Sequence, residues 1–142
     1  MNQLLIFVKI KMLNGYFRDN KCPLTTIIVV GTKGEEEVEA IVDTGFNGYL
    51  TIPHFIARRV GMEFTNAISS SSIADGSSSP SLIYTGKIVY DNSRIDILFD
   101  VQENCKVLLG TALLEELGLT LFVDVTARRV EFNKTGTLTR PV

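Results

Sequence analysis

Tryptophan is absent from this 142-residue chain, histidine occurs once, cysteine twice and proline four times. With His54 alone there is no clustered His and Cys to form a zinc-type ligand set, and no metal site is expected. No G-x-x-x-x-G-K-[ST] or G-x-G-x-x-G loop is present to cradle phosphates, so nucleotide chemistry and its cofactors are not expected. The many serines lack a G-x-S-x-G elbow, and His54, following Pro53 on a predicted helix, reads as a surface residue rather than a catalytic base. A formal charge of -2 provides no basic stripe, which argues against nucleic acid as a partner. The apolar run near the start, Leu4 to Val8, falls far short of the roughly 18 residues that a spanning helix needs, so no membrane partner is expected. Lys9 and Lys11 follow that run instead of preceding it, unlike a secretory leader, and the expected location is cytoplasmic. Cys22 and Cys105 form no C-x-x-C pair and are expected as two reduced, buried thiols.

What is present suits one core: 45% of the residues are apolar and 21% charged, and residues 1–142 are expected to form a single domain. Residues 1–20 read as an N-terminal arm or edge strand. Thr25 to Val30 is dense in β-branched residues and is followed by G-T-K-G, so a hairpin is predicted to turn at Gly31 to Gly34. The second strand becomes wholly apolar at Ala40-Ile41-Val42, as a strand entering a two-sided core does, and then meets Asp43. A carboxylate there is costly unless it is hydrogen-bonded or paired. Pro53 fits a first helical turn, Phe55, Ile56 and Val60 supply an apolar face, and Gly61 fits a stop, which predicts a helix over 53–60.

From Ser69 to Ser81 the chain is serine-rich around Ala74-Asp75-Gly76, and a mobile loop between strands is predicted. Ile83 to Tyr90 and Arg94 to Val101 read as a second hairpin turning at Asp91-Asn92-Ser93. Val107-Leu108-Leu109-Gly110 reads as a buried strand, after which Thr111 can cap a helix through Leu117 that stops at Gly118. Leu119 to Val123 and Arg129 to Phe132 form a last strand pair. Many short strands with one or two short helices predict a mainly β, closed-barrel or sandwich architecture.

The segment Ala40-Ile41-Val42-Asp43-Thr44-Gly45 resembles the active-site strand and loop of aspartic proteases. An apolar strand leads into it, Tyr49-Leu50-Thr51-Ile52-Pro53 leads out toward a helix, a glycine-containing loop follows, and Val107-Leu108-Leu109-Gly110 with its own helix comes later. That order resembles the retropepsin-like, single-lobe aspartic proteases over roughly Leu24 to Phe132. The form D-T-G-F-x-G-x-L-x-[IL]-P is most similar to the bacterial and archaeal members.

The resemblance implies a mainly β, retropepsin-like closed barrel with one or two short helices, acting as an aspartic endopeptidase without cofactor. Two identical chains would each donate one D-T-G loop, so a homodimer acting on peptide or unfolded protein is implied. Asp43 would be catalytic, Thr44 would brace the two loops across the dimer axis, and Gly45 would admit backbone close to the dyad and to substrate. The flap region falls at 66–86, with Ala74, Asp75 and Gly76 near its tip. Gly45, Phe46, Asn47 and Leu108 would touch substrate, although Leu108 reads equally as ordinary core. An Asx-type turn, in which Asp43 bonds only its own backbone, is the structural alternative, and a catalytically inactive peptide-binding or dimerisation module is the functional one.

Two departures bear on activity. Phe46 stands where retroviral and pepsin-like enzymes carry a small Ser, Thr or Ala, so it removes a donor to the carboxylates and makes their surroundings drier; a changed pH optimum is expected. Asn47 and Thr111 stand where retroviral enzymes pair an Asp with an Arg, so both charges vanish together and no unpaired buried ion is left.

Overall fold

In the computed structural model, which describes residues 3–19, 22–72 and 78–141, the described residues form ten strands and two short helices. The β-branched run and the strand after it become β2 (Leu24–Gly31) and β3 (Gly34–Val42), paired antiparallel from Leu24 opposite Ile41 to Gly31 opposite Gly34. Gly34 lies at φ 155°, a value open to glycine because it has no Cβ. At the end of β3, Ala40 and Val42 are buried while Ile41 is half-buried, so the expected two-sided burial gives way to alternation. β8 pairs beside Ile41 and Val42 within the same sheet, so it does not cover the face that carries Ile41.

β4 (Leu50–Pro53) is buried along its whole length and runs into α1 (His54–Val60). Pro53 is the residue before the helix rather than part of its first turn, and Gly61 closes it in the left-handed conformation as predicted. The face turned inward is Ile56, Ala57 and Val60; Phe55, expected in that face, is 56% exposed. A seven-residue helix has room for one narrow apolar stripe, and Phe55 lies just off it.

The serine stretch corrects a second expectation. β5 (Glu63–Ser72) and β6 (Ser78–Tyr90) form one long hairpin in which Ser69 faces Ser81, Ser71 faces Ser79 and Ser72 faces Ser78. Backbone pairing, which needs no apolar side chain, carries the ladder through residues whose composition suggested a loop. β6 also pairs β7 (Ser93–Gln102) across the predicted turn, where Asp91 and Asn92 take positive φ as a tight hairpin requires.

β7 runs parallel to β4, β4 antiparallel to β8 (Leu108–Leu109), and β8 parallel to β3; a further pairing of β2 with β6 closes the ring. The result is a closed barrel of six strands in the order β6-β7-β4-β8-β3-β2. Val29, Leu50, Ile52, Ile88, Phe99 and Leu109 lie fully buried within it, and α2 (Thr111–Leu117) adds Leu113, Leu114 and Leu117. Gly110, not Thr111, is the capping residue of α2.

Outside the barrel, β1 (Gln3–Tyr16) pairs with β10 (Arg129–Pro141), which continues nine residues past the predicted end at Phe132. The two form a ribbon that joins β2 only at Gly15 and Tyr16, and β10 also pairs β9 (Thr120–Asp124) at residues 129–133. Strand continuation here depends on a partner that is remote in sequence. The cysteines also depart from expectation: Cys22 and Cys105 are both half-buried. No helix among the described residues is long and apolar enough to cross a membrane.

Because Phe99 sits fully buried between β4 and β6, Phe99→Ala is expected to cost about 3–5 kcal/mol of stability, measured by urea unfolding.

Candidate active site

The ends of three strands converge where the Asp43 loop leaves the barrel. β8 lies between β3 and β4, with Ile41 and Val42 opposite Leu108 and Leu109 on one side and Leu50 and Thr51 opposite the same two residues on the other. The connection 43–49 therefore loops around the end of β8. Four backbone hydrogen bonds hold it: Asp43 N–H donates to Leu109 O at 2.9 Å, Gly110 N–H to Tyr49 O at 2.9 Å, Thr111 N–H to Phe46 O at 2.9 Å, and Ala112 N–H to Gly48 O at 3.2 Å. The start of α2 thus grips the loop by its carbonyls. The Thr111 hydroxyl adds a donor to the same Phe46 carbonyl at 3.3 Å, so this residue supports the loop rather than capping the helix.

Within the loop, Asp43 is half-buried and Thr44 and Gly45 are exposed. Asp43 Oδ1 accepts from Gly45 N–H at 2.9 Å, and Phe46 N–H donates to Asp43 O at 3.1 Å. No second hydrogen bond to the carboxylate is present among the described residues. A Cβ on Gly45 would lie 3.2 Å from Asp43 Oδ1, a tight approach that explains the glycine without any unusual φ. The Oδ1 contact is the local bond an Asx-type turn makes, and it also fixes the rotamer that presents the other oxygen.

Phe46 packs on the glycines that follow it in the loop and at the start of α2. Its half-buried ring covers Gly48 and Gly110: a Cβ on Gly48 would meet the ring at 2.4 Å, and one on Gly110 would meet it at 2.6 Å and the Gly48 carbonyl at 2.2 Å. The two glycines make the space that this large residue needs. Asn47 is exposed beside them, and Leu108 is half-buried on β8, between the expected core and pocket roles. Ala74, Asp75 and Gly76 lie outside the described residues.

Three contributors went unnoticed in the sequence. Thr51 is buried, donates its hydroxyl to Lys106 O at 2.6 Å and accepts from Leu108 N–H at 2.8 Å, tying β4 to the approach of β8. A lone hydroxyl in the apolar run Leu50-Thr51-Ile52 was its signal. Gly48 and Gly110, in their role of making room for the Phe46 ring, are the others; Phe46 two positions before Gly48 was the signal for the first, and none marked the second. His54, expected at the surface, is half-buried, with Nε2 3.3 Å from the Tyr84 hydroxyl and its ring edge-on to Tyr84.

No protein-family profile matches the chain, and no curated protein sequence matches it. Among solved structures the fold is similar to that of EIAV protease complexed with the inhibitor HBY-793, with a TM-score of 0.56 at 15% identity, over 75% of this chain and 98% of that one. The fold is retropepsin-like. In a retropepsin-like barrel with two helices, the Asp43 loop occupies the one point where β3, β4 and α2 all meet β8.

Asp100 on β7, opposite Thr51 on β4, is half-buried, and burial holds its carboxyl above the ordinary aspartate range. The folded chain therefore binds this proton more tightly than the unfolded chain, and stability falls as pH rises from the free-aspartate value, about 3.9, through the raised one. Asp100→Asn is expected to be more stable than the parent at neutral pH, with the advantage vanishing below about pH 4 in urea midpoints. Gly110→Ala is expected to displace the Phe46 ring and the Gly48 carbonyl, cost about 1–3 kcal/mol and speed amide exchange at Gly45.

Proposed function

We propose that the protein is an aspartic endopeptidase that works as a homodimer, with the Asp43 side chains of two copies meeting across a twofold axis. The observation that carries this reading is the Asp43-Thr44-Gly45 turn, with Asp43 half-buried, Thr44 and Gly45 exposed and one carboxylate oxygen held by Gly45, in a retropepsin-like barrel. A single exposed carboxylate is a poor base and a poor acid at working pH; two in contact share one proton, because like charges so close do not both ionise.

The chemistry then follows from the pair. The ionised carboxylate takes a proton from a water whose oxygen bonds to the scissile carbonyl carbon, and the protonated partner gives its proton to the carbonyl oxygen. Collapse of the tetrahedral adduct breaks the C–N bond, the amine nitrogen takes a proton, and the pair again holds one. Thr44, exposed beside each Asp43, braces the two loops against each other. Gly45, Asn47 and Leu108 contact an extended peptide, with the β5–β6 hairpin as the flap.

A second copy has surfaces to use. β9 is the last strand of the sheet, with one edge unpaired among the described residues, and Phe122 and Val125 on it and beside it are 46% and 51% exposed. Among the described residues the ribbon also has one edge without a strand partner at 3–14 and at 134–141. Open edges of this kind invite pairing with another chain.

Purified protein is expected to cleave unfolded casein and library peptides between about pH 4 and pH 7, with inhibition by pepstatin, and Asp43→Asn to lose about 10²–10⁴-fold in rate. Equal cleavage by both proteins would remove the assignment. Sedimentation is expected to show dimer at high micromolar concentration. Monomer alone, with intact folding and no cleavage, would leave the Asp43–Gly45 contact as a structural turn in a peptide-binding module.

A further inference from the structure

A groove of about 670 Å³ runs between α1 and the base of the β5–β6 hairpin, on residues outside the Asp43 loop. One wall is α1, with Phe55 and Arg58; the other is Phe64 and Tyr84, whose rings lie 5.4 Å apart; buried Met62 forms the floor. Lys33, on the β2–β3 turn, closes one end. Phe55 and Phe64 are 56% and 40% exposed, so apolar surface lies open on both walls.

The groove is held in shape by its own backbone. Lys33 N–H donates to Val60 O at 2.8 Å and Thr32 N–H to Gly61 O at 2.9 Å, with the Thr32 hydroxyl on the same Gly61 carbonyl at 3.0 Å. The turn is thus fastened to the C-terminal end of α1, and the carbonyls there are occupied. A site that is already formed loses little conformational freedom on binding.

Its charges are unequal. Arg59 is neutralised by Glu36 through two contacts of 2.6 and 2.7 Å while stacking on Phe55 at 5.3 Å. Arg58 and Lys33 have no ionic or hydrogen-bonded side-chain partner among the described residues, and Glu63 on the rim offsets only one of them. A net positive charge beside open aromatic surface complements a carboxylate next to an apolar side chain. Two cations are too few to match a run of phosphates, which disfavours nucleic acid.

We propose that this groove docks an acidic peptide segment, its carboxylates on Lys33 and Arg58 and an aromatic or aliphatic side chain between Phe55, Phe64 and Tyr84. The proposal stands apart from proteolysis, because none of these residues lies on the Asp43 loop. In the Asp43→Asn protein, which keeps any probe uncut, a fluorescein-labelled peptide alternating aspartate with phenylalanine and leucine is expected to bind saturably below about 1 mM, more weakly as salt rises. Lys33→Glu with Arg58→Glu is expected to weaken binding about tenfold or more, and Phe55→Ser to weaken it without changing the salt dependence. All three side chains are exposed, so the variants keep the core, which circular dichroism checks. Absence of saturable binding, equal binding of a peptide with lysine for aspartate, or unchanged binding after charge reversal would each overturn the proposal. Tighter binding of a single-stranded oligonucleotide that is lost in the same variants would overturn it in favour of nucleic acid.

Discussion

The structure around Asp43 depends on a backbone clasp. A two-residue strand, Leu108–Leu109, is inserted between β3 and β4, and the next three residues, Gly110 to Ala112, take up the carbonyls of Tyr49, Phe46 and Gly48. Each bond is an ordinary one, worth about 0.5–1.5 kcal/mol net. Together they hold a loop whose polar backbone groups would otherwise lie unpaired beside a buried strand. The clasp needs no metal, disulfide or ion pair. Its closeness does require glycine at 110, where any Cβ would strike the Gly48 carbonyl.

Phe46 belongs to the same arrangement. A large apolar residue directly after Asp-Thr-Gly suggests, on paper, a ring over the carboxylate. In the fold the half-buried ring packs on Gly48 and Gly110, beside the backbone bonds of the clasp. The loop therefore combines a rigid, apolar back with an exposed, polar front. Such a division suits a group that must be held still and yet reach a second molecule.

Polar bonds and packing also divide the labour elsewhere. Thr51 supplies a buried hydroxyl that joins β4 to the approach of β8. Elsewhere, the β2–β3 turn is fastened to α1 by Thr32 and Lys33, beside a groove with Phe55, Phe64 and two cations that have no ionic partner among the described residues. Two surfaces of different chemistry thus sit on one barrel: a carboxylate loop and a basic aromatic groove.

Much was legible in the residues alone. β-branched and alternating runs marked the two hairpins, glycines marked both helix ends, and Asp-Thr-Gly after an apolar strand marked the loop, because these signals are local and each acts through its own backbone or its nearest neighbours. The serine ladder, the strand beyond Phe132, the exposure of Phe55, the loop-bracing role of Thr111 and the direction of the Phe46 ring were not legible. Each depends on a partner distant in the chain: the other hairpin arm, β1, the surface left bare by a short helix, or the carbonyls and glycines brought in from around residues 48 and 110. The residues alone set the two hairpins, both helix stops and the place of Asp43 at the end of an apolar strand; the meeting of β3, β4 and β8 settled what holds the loop that carries it. Contacts across the barrel are set by pairing and by the space that remains, and neither is written into any one stretch of residues.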